Sequence, residues 1–268
     1  MITGGPDGCA LGATPSADPA AVLRKTTWPV AVVVVLAVAA SWYVTWASSD
    51  LAMGVLMAPT MASSTDLAFV FLLLVIMMVA MMLPSALPMV LTYHELSRLE
   101  RGEPTRPADR TGTAVFASAY FVVWGAFSLV AFVALSVLGI LGPFTGLLAV
   151  VPAAVLLAAG AWQLTRTKEA CLTHCQSPLG FVMQHWRSGR RGAWRMGLEH
   201  AAYCIGCCWL FMLVLFVTGA MSLVWMGLIA LVIFVEKIGW RPAAVVRVIG
   251  GLLSLGGAVL LVQALLAL

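Results

Sequence analysis

Charge is what this sequence has least of. Only 10% of its 268 residues are Asp, Glu, Lys or Arg, 62% are hydrophobic, and the mean hydropathy is +1.02. A water-soluble domain of this length needs far more charge to cover its surface, so the composition excludes one. Its carboxylates are not clustered, which leaves hard ions such as Mg(II) and Ca(II) without their oxygen ligands. There is no HExxH, and no constellation of Ser, His and carboxylate stands out, which argues against a hydrolase and, more broadly, points away from an enzyme. No basic patch is interleaved with aromatics, so the net charge of +4 does not report nucleic-acid binding. No charged and apolar stretch precedes Cys9 in "DGCALG", as a lipoprotein signal would require.

Long apolar runs are abundant instead. Stretches near the roughly 20 residues that cross a bilayer lie at about 28–47, 67–91, 113–140, 143–165, 198–218, 221–238 and 245–267. The expected fold is therefore all-α: a polytopic membrane helical bundle of about seven transmembrane helices. Residues 1–25 are rich in Gly, Pro and Ala and read as a disordered cytoplasmic leader; residues 26–268 read as a single transmembrane helical domain. The turns "LGPF" (141–144) and "TGAM" (218–221) predict two tight helical hairpins. With the amino terminus inside, every Lys and Arg falls on the inner side, from Arg24 and Lys25 through Arg98–Arg110 and Arg166–Arg195 to Lys237–Arg247. That is the positive-inside pattern. It predicts a multi-pass protein of a bacterial inner membrane, amino terminus cytoplasmic and carboxyl terminus periplasmic, with a cytoplasmic Cys/His loop at 166–197.

The unusual feature is where the sulfur lies. In "YCIGCCWLFM" three cysteines fall within five residues. At about 100° per residue, His200, Cys204 and Cys207 occupy an arc of about 60°, and Cys208 lies about 40° further round. Small cysteines also fill apolar helices inertly, but three of them beside a histidine suit a metal. In "TKEACLTHCQSP", Cys171, His174 and Cys175 share a helical face at i, i+3 and i+4, and Pro178 ends the element. Both groups belong to the same side of the membrane, a stronger signal than either spacing alone. In the second span, "VIMMVAMMLPSALPM" places Met77 with Met81 and Met78 with Met82 at i, i+4, ahead of Pro84 and Pro88. Such methionines either pack irregular gaps or offer thioethers. Met82 and Cys207 each lie about 13 Å from the inner end of their helices, so they could meet. Ser85, between the prolines, is placed to satisfy carbonyls that the prolines free. Glu236 and Lys237, closing the sixth span, read as a snorkelling pair at the headgroups, or as an intramembrane carboxylate serving as proton site or hard ligand.

Two to four thiolates with imidazole and thioether neighbours favour Cu(I), with Zn(II) second. Binding requires deprotonated thiols and releases protons. The competing reading is a membrane thiol-disulfide oxidoreductase, because "CIGC" is formally a CxxC. Such a protein needs its reactive pair on the outer face, whereas these cysteines face a reducing pool. A structural subunit of a membrane complex, with incidental cysteines, is the third. The expected partners are the lipid bilayer and either a membrane metalloprotein or a soluble metal carrier.

"AWQLTRTKEACLTHCQSPLGFV", "MMVAMMLPSALPM" and the run from "GLEHAAYCIGCCW" to "FVEK" resemble a bacterial family of predicted metal-binding integral membrane proteins, a domain of unknown function. The resemblance covers about residues 30–267. It implies an inner-membrane location and metal binding, and its matching positions are Cys171, Cys175, Cys204, Cys207, Cys208, Glu236 and Lys237.

Overall fold

The computed structural model describes residues 19–57, 63–99, 109–137, 146–219, 222–239 and 242–267, and within them every regular element is helical. In chain order these are α1 (Pro19–Met57), α2 (Ser64–Leu99), α3 (Arg110–Val137), α4 (Val151–Gln163), α5 (Arg166–Gln176), α6 (Pro178–His185), α7 (Gly189–Gly219), α8 (Leu223–Ile238) and α9 (Pro242–Leu266). One 3₁₀ turn, Gly146–Val150, leads into α4. Cys9 and residues 1–18 of the expected leader lie outside the described residues, as does the "LGPF" turn.

Five helices are long and apolar enough to cross a membrane: α1, α2, α3, α7 and α9. A sixth span arises if α4 and α5 are counted together, although they meet at a bend of 67°. The stretch at 221–238 corresponds to α8, whose 16 residues reach about 24 Å. The seven apolar stretches thus become five long helices, one bent pair and one short helix.

The local sequence explains the bend. Thr165 leaves helical geometry at φ −81°, ψ 146°, and its hydroxyl accepts the Lys168 N–H as the cap of α5. Pro178 cannot continue α5 and instead opens α6. Gly189, at φ +76°, supplies the left-handed residue at the reversal into α7. The segment expected as a loop at 166–197 is therefore two short helices followed by the first turns of α7.

Helix α7 lies at the centre of the packing, against α3, α4, α5 and α8, while α2 packs on α1, α3, α6 and α8. The expected hairpin of α3 with α4 does not close among the described residues; α4 lies against α9 and α7. Glycine allows that approach: a Cβ on Gly257 would stand 2.9 Å from Leu157 N, and one on Gly250 2.9 Å from Gln163 Cβ. Small residues at such contacts let helix backbones come close in a bilayer. Half of the apolar window of α2 and of α7 is buried, against 11% for α1 and α9. The outer helices present Val33, Val35, Leu36, Leu252, Leu255 and Val259 to the surroundings. Apolar exposure on that scale suits lipid tails and not water.

Candidate metal centre

Four of the cysteines meet where α5 leans on the middle of α7. Cys204 and Cys208 are one helical turn apart, and both Cys207 and Cys208 donate their thiols to the Cys204 carbonyl, at 3.1 and 2.8 Å. From α5, the Cys175 thiol comes within hydrogen-bonding reach of Cys204 and Cys207. From α2, the Met82 thioether lies 3.9 Å from Cys208 Sγ. Cys204, Cys207 and Cys208 are at most 2% exposed and Cys175 8%, and all are free thiols. The result is a buried sulfur cluster assembled from three helices.

The remaining candidates divide around it. Cys171 is partly exposed, and its sulfur rests on α7 where Gly206 leaves room: a Cβ there would stand 2.7 Å from Cys171 Sγ. His174 does not enter the cluster; its Nδ1 bonds the Ala170 carbonyl at 2.8 Å and its ring stacks on Tyr203 at 4.1 Å. His200, one turn before Cys204, sits among Phe116, Tyr120 and Phe181. Among the described residues neither of its buried ring nitrogens has a hydrogen-bond partner. An orphaned imidazole so close to the sulfurs is a donor in reserve. Met77, Met78 and Met81 are buried in the same apolar core as Met82, and the Met82 thioether is the one that lies 3.9 Å from a cysteine sulfur, that of Cys208. Ser85 donates to the Met82 carbonyl at 2.9 Å. The carbonyls freed by Pro84 and Pro88 are those of Ala80 and Pro84, so Ser85 does not serve them.

Glu236 and Lys237 do not snorkel. They are 2% and 5% exposed and point to different sides of α8. Glu236 accepts from Lys168 Nζ and from Gln163 Nε2, both at 2.7 Å, and Lys168 also lies 4.7 Å over the Phe211 ring. Gln176 of α5 donates to the Glu236 carbonyl at 2.8 Å. Lys237 instead sends its ammonium to Cys204 Sγ at 3.0 Å and to Ser85 Oγ at 3.1 Å. The Tyr120 hydroxyl lies 3.2 Å from the same sulfur. Cys204 is thus where an ammonium, a phenol and three neighbouring thiols converge.

Sequence reasoning missed Lys168, Gln163, Tyr120, Ser85 as a partner of Lys237, and the inward turn of Lys237. One signal was available. The chain holds only three lysines beside twelve arginines, and two of those three are buried.

Chemically, four thiols with a thioether form a soft donor set, suited to Cu(I). Among the described residues, no three His, Cys, Asp or Glu side chains are already spread around a common metal position. The Cys207 and Cys208 thiols are engaged with the Cys204 carbonyl, so a cation would have to draw them from it.

The class these features define is an all-helical protein with helices of membrane-crossing length, packed around a buried cluster of thiols. A family model described as PpoB2, copper chaperone, matches residues 71–260, well over half of the chain. The chain belongs to that family. The match contains every clustered cysteine together with Met82, Lys168, Glu236 and Lys237. Comparisons with curated proteins and with solved structures find no match.

Proposed function

We propose that the protein is an inner-membrane copper chaperone that holds Cu(I) among the sulfurs of Cys175, Cys204, Cys207 and Cys208, with the Met82 thioether beside them. The ion is cargo, passed between a soluble carrier or membrane metalloprotein and the bilayer protein itself. Zn(II) is the second choice for the same donors. The observation that carries this reading is the convergence of cysteines from two separate helices, α5 and α7, on one buried point. Packing alone has no need to bring thiols 29 residues apart together with a thioether from a third helix. Soft donors select soft ions, and a dry apolar shell slows both their oxidation and their loss.

A cavity of about 240 Å³ opens beside the cluster, and Cys175 is the cysteine that lines it. Cargo entering there meets Cys175 first and reaches Cys204 and Cys207 behind it. His200, Cys171 and His174 are the further donors in this reading, with His200 the one buried nitrogen donor among them.

The test is metal content of protein purified with Cu(I) under reducing conditions. Wild type is expected to retain copper, and the Cys204→Ser, Cys207→Ser, Cys208→Ser triple variant to fall to background. Equal copper in both removes the site.

A further inference from the structure

We propose that Lys237 is a charge filter for the sulfur cluster: its buried ammonium admits a monovalent soft cation and disfavours a divalent one. This rests on the copper reading above and adds the residue that sharpens the separation of Cu(I) from Zn(II), both of which thiolates bind.

Three observations carry it. The Lys237 ammonium lies 3.0 Å from Cys204 Sγ and 3.1 Å from Ser85 Oγ, well within the range where a fixed charge acts on a bound ion. The adjacent carboxylate does not neutralise it. Successive residues of a helix point about 100° apart, and Glu236 is turned toward Lys168 and Gln163 with both its oxygens occupied. Finally, Lys237 lines the 240 Å³ cavity beside the cluster together with Cys175, Ser85, Pro88 and Gln176, and the residues lining that cavity include no carboxylate. An ion coming from this side meets Cys175 with the ammonium beside it and passes the ammonium to reach Cys204.

The consequence is electrostatic. A second positive charge on the cargo is repelled by Lys237 once more than a single charge is, and burial weakens the screening that water would supply. Structural zinc sites gather up to four thiolates, whose negative charge suits a dication. Here one unit of that charge is already offset.

Competitive titration of the purified full-length protein in detergent, with Cu(I) and Zn(II) each set against a chelator at one fixed pH, tests this. For Lys237→Gln the ratio of Cu(I) to Zn(II) affinity is expected to fall about tenfold or more, while Lys237→Arg keeps the wild-type ratio. Lys237→Gln with an unchanged ratio overturns the filter and leaves the copper site standing. Should Lys237→Gln not fold, Ser85→Asp retains the lysine and sets a carboxylate beside its ammonium. The same fall is expected there, and an unchanged ratio overturns the proposal equally. A wild type that binds neither ion sinks the copper reading, and the filter with it.

Discussion

Lys168 shows how much a single side chain carries inside this bundle. Its ammonium and the Glu236 carboxylate are 1% and 2% exposed and meet at 2.7 Å, with Gln163 filling the second oxygen. Removing one partner strands the other charge in a low-dielectric interior, which costs about 3–5 kcal/mol, whereas removing both charges costs far less. Lys168→Met is therefore expected to lower the thermal unfolding midpoint in mild detergent sharply. Adding Glu236→Gln, which still accepts from Gln163, should restore most of the loss. A single variant as stable as wild type would show that the pair does not hold α5 to α8. At this scale the sequence was only partly legible. The cysteines advertise themselves by spacing, but "FVEKIG" reads the same whether its charges snorkel or turn inward. Which of these happens depends on whether a neighbouring helix offers a partner, and Lys168 lies 68 residues away.

At the scale of elements, the contact of α5 with α7 decides whether a site exists at all. α5 is short, and only its docking brings Cys175 to Cys204 and Cys207. Gly206 governs that docking, because Cys171 Sγ occupies the place of its missing side chain. Trp162 braces the same turn by donating to the Gly206 carbonyl at 3.2 Å. Gly206→Ala should push α5 away and destabilise the protein by about 1–3 kcal/mol. It should also weaken copper retention, although no sulfur is touched. Cys171→Ala in the same chain removes the colliding atom and is expected to restore both. Failure of the double variant to recover would mean that Gly206 matters for another reason. The shared face of Cys171, His174 and Cys175 was readable from their spacing, as was Pro178 at the end of α5. The fate of His174 was not: stacking on Tyr203 turned its ring toward α7 without bringing it to the sulfurs.

For the whole molecule, the charged residues bear on sidedness. Arg187, Arg190, Arg191 and Arg195 crowd the α6–α7 junction, and the positive-inside rule predicts that this end faces the cytoplasm. Single cysteines introduced at Arg190 and Ser222, at the two ends of α7, give the check in a cysteine-free background. The first should react with an impermeant maleimide only in inverted vesicles, the second only in right-side-out ones. The opposite pattern would put the cavity and Cys175 on the oxidising face and revive the thiol-disulfide reading. Among the described residues five helices are long and apolar enough to cross, the bent α4–α5 pair adds a sixth if it counts as one span, and α8 is short. Hydropathy sums residues along a line, so it recognises "VPAAVLLAAGAWQ" as membrane-like but carries no information on the 67° bend that follows it.

Composition and periodicity were sufficient for the class of fold, because the cost of leaving backbone groups unpaired in lipid permits little besides helices in so apolar a chain. They were sufficient also for the kind of atom at the centre, since sulfur at helical spacing is visible in one dimension. Tertiary structure alone decided which sulfurs meet, that Met82 joins them while Met77, Met78 and Met81 fill the core, and that Lys237 leans on Cys204 instead of reaching for the headgroups. Those outcomes depend on pairs distant in sequence, and a buried charge takes whatever partner the packing of other helices brings within about 3 Å.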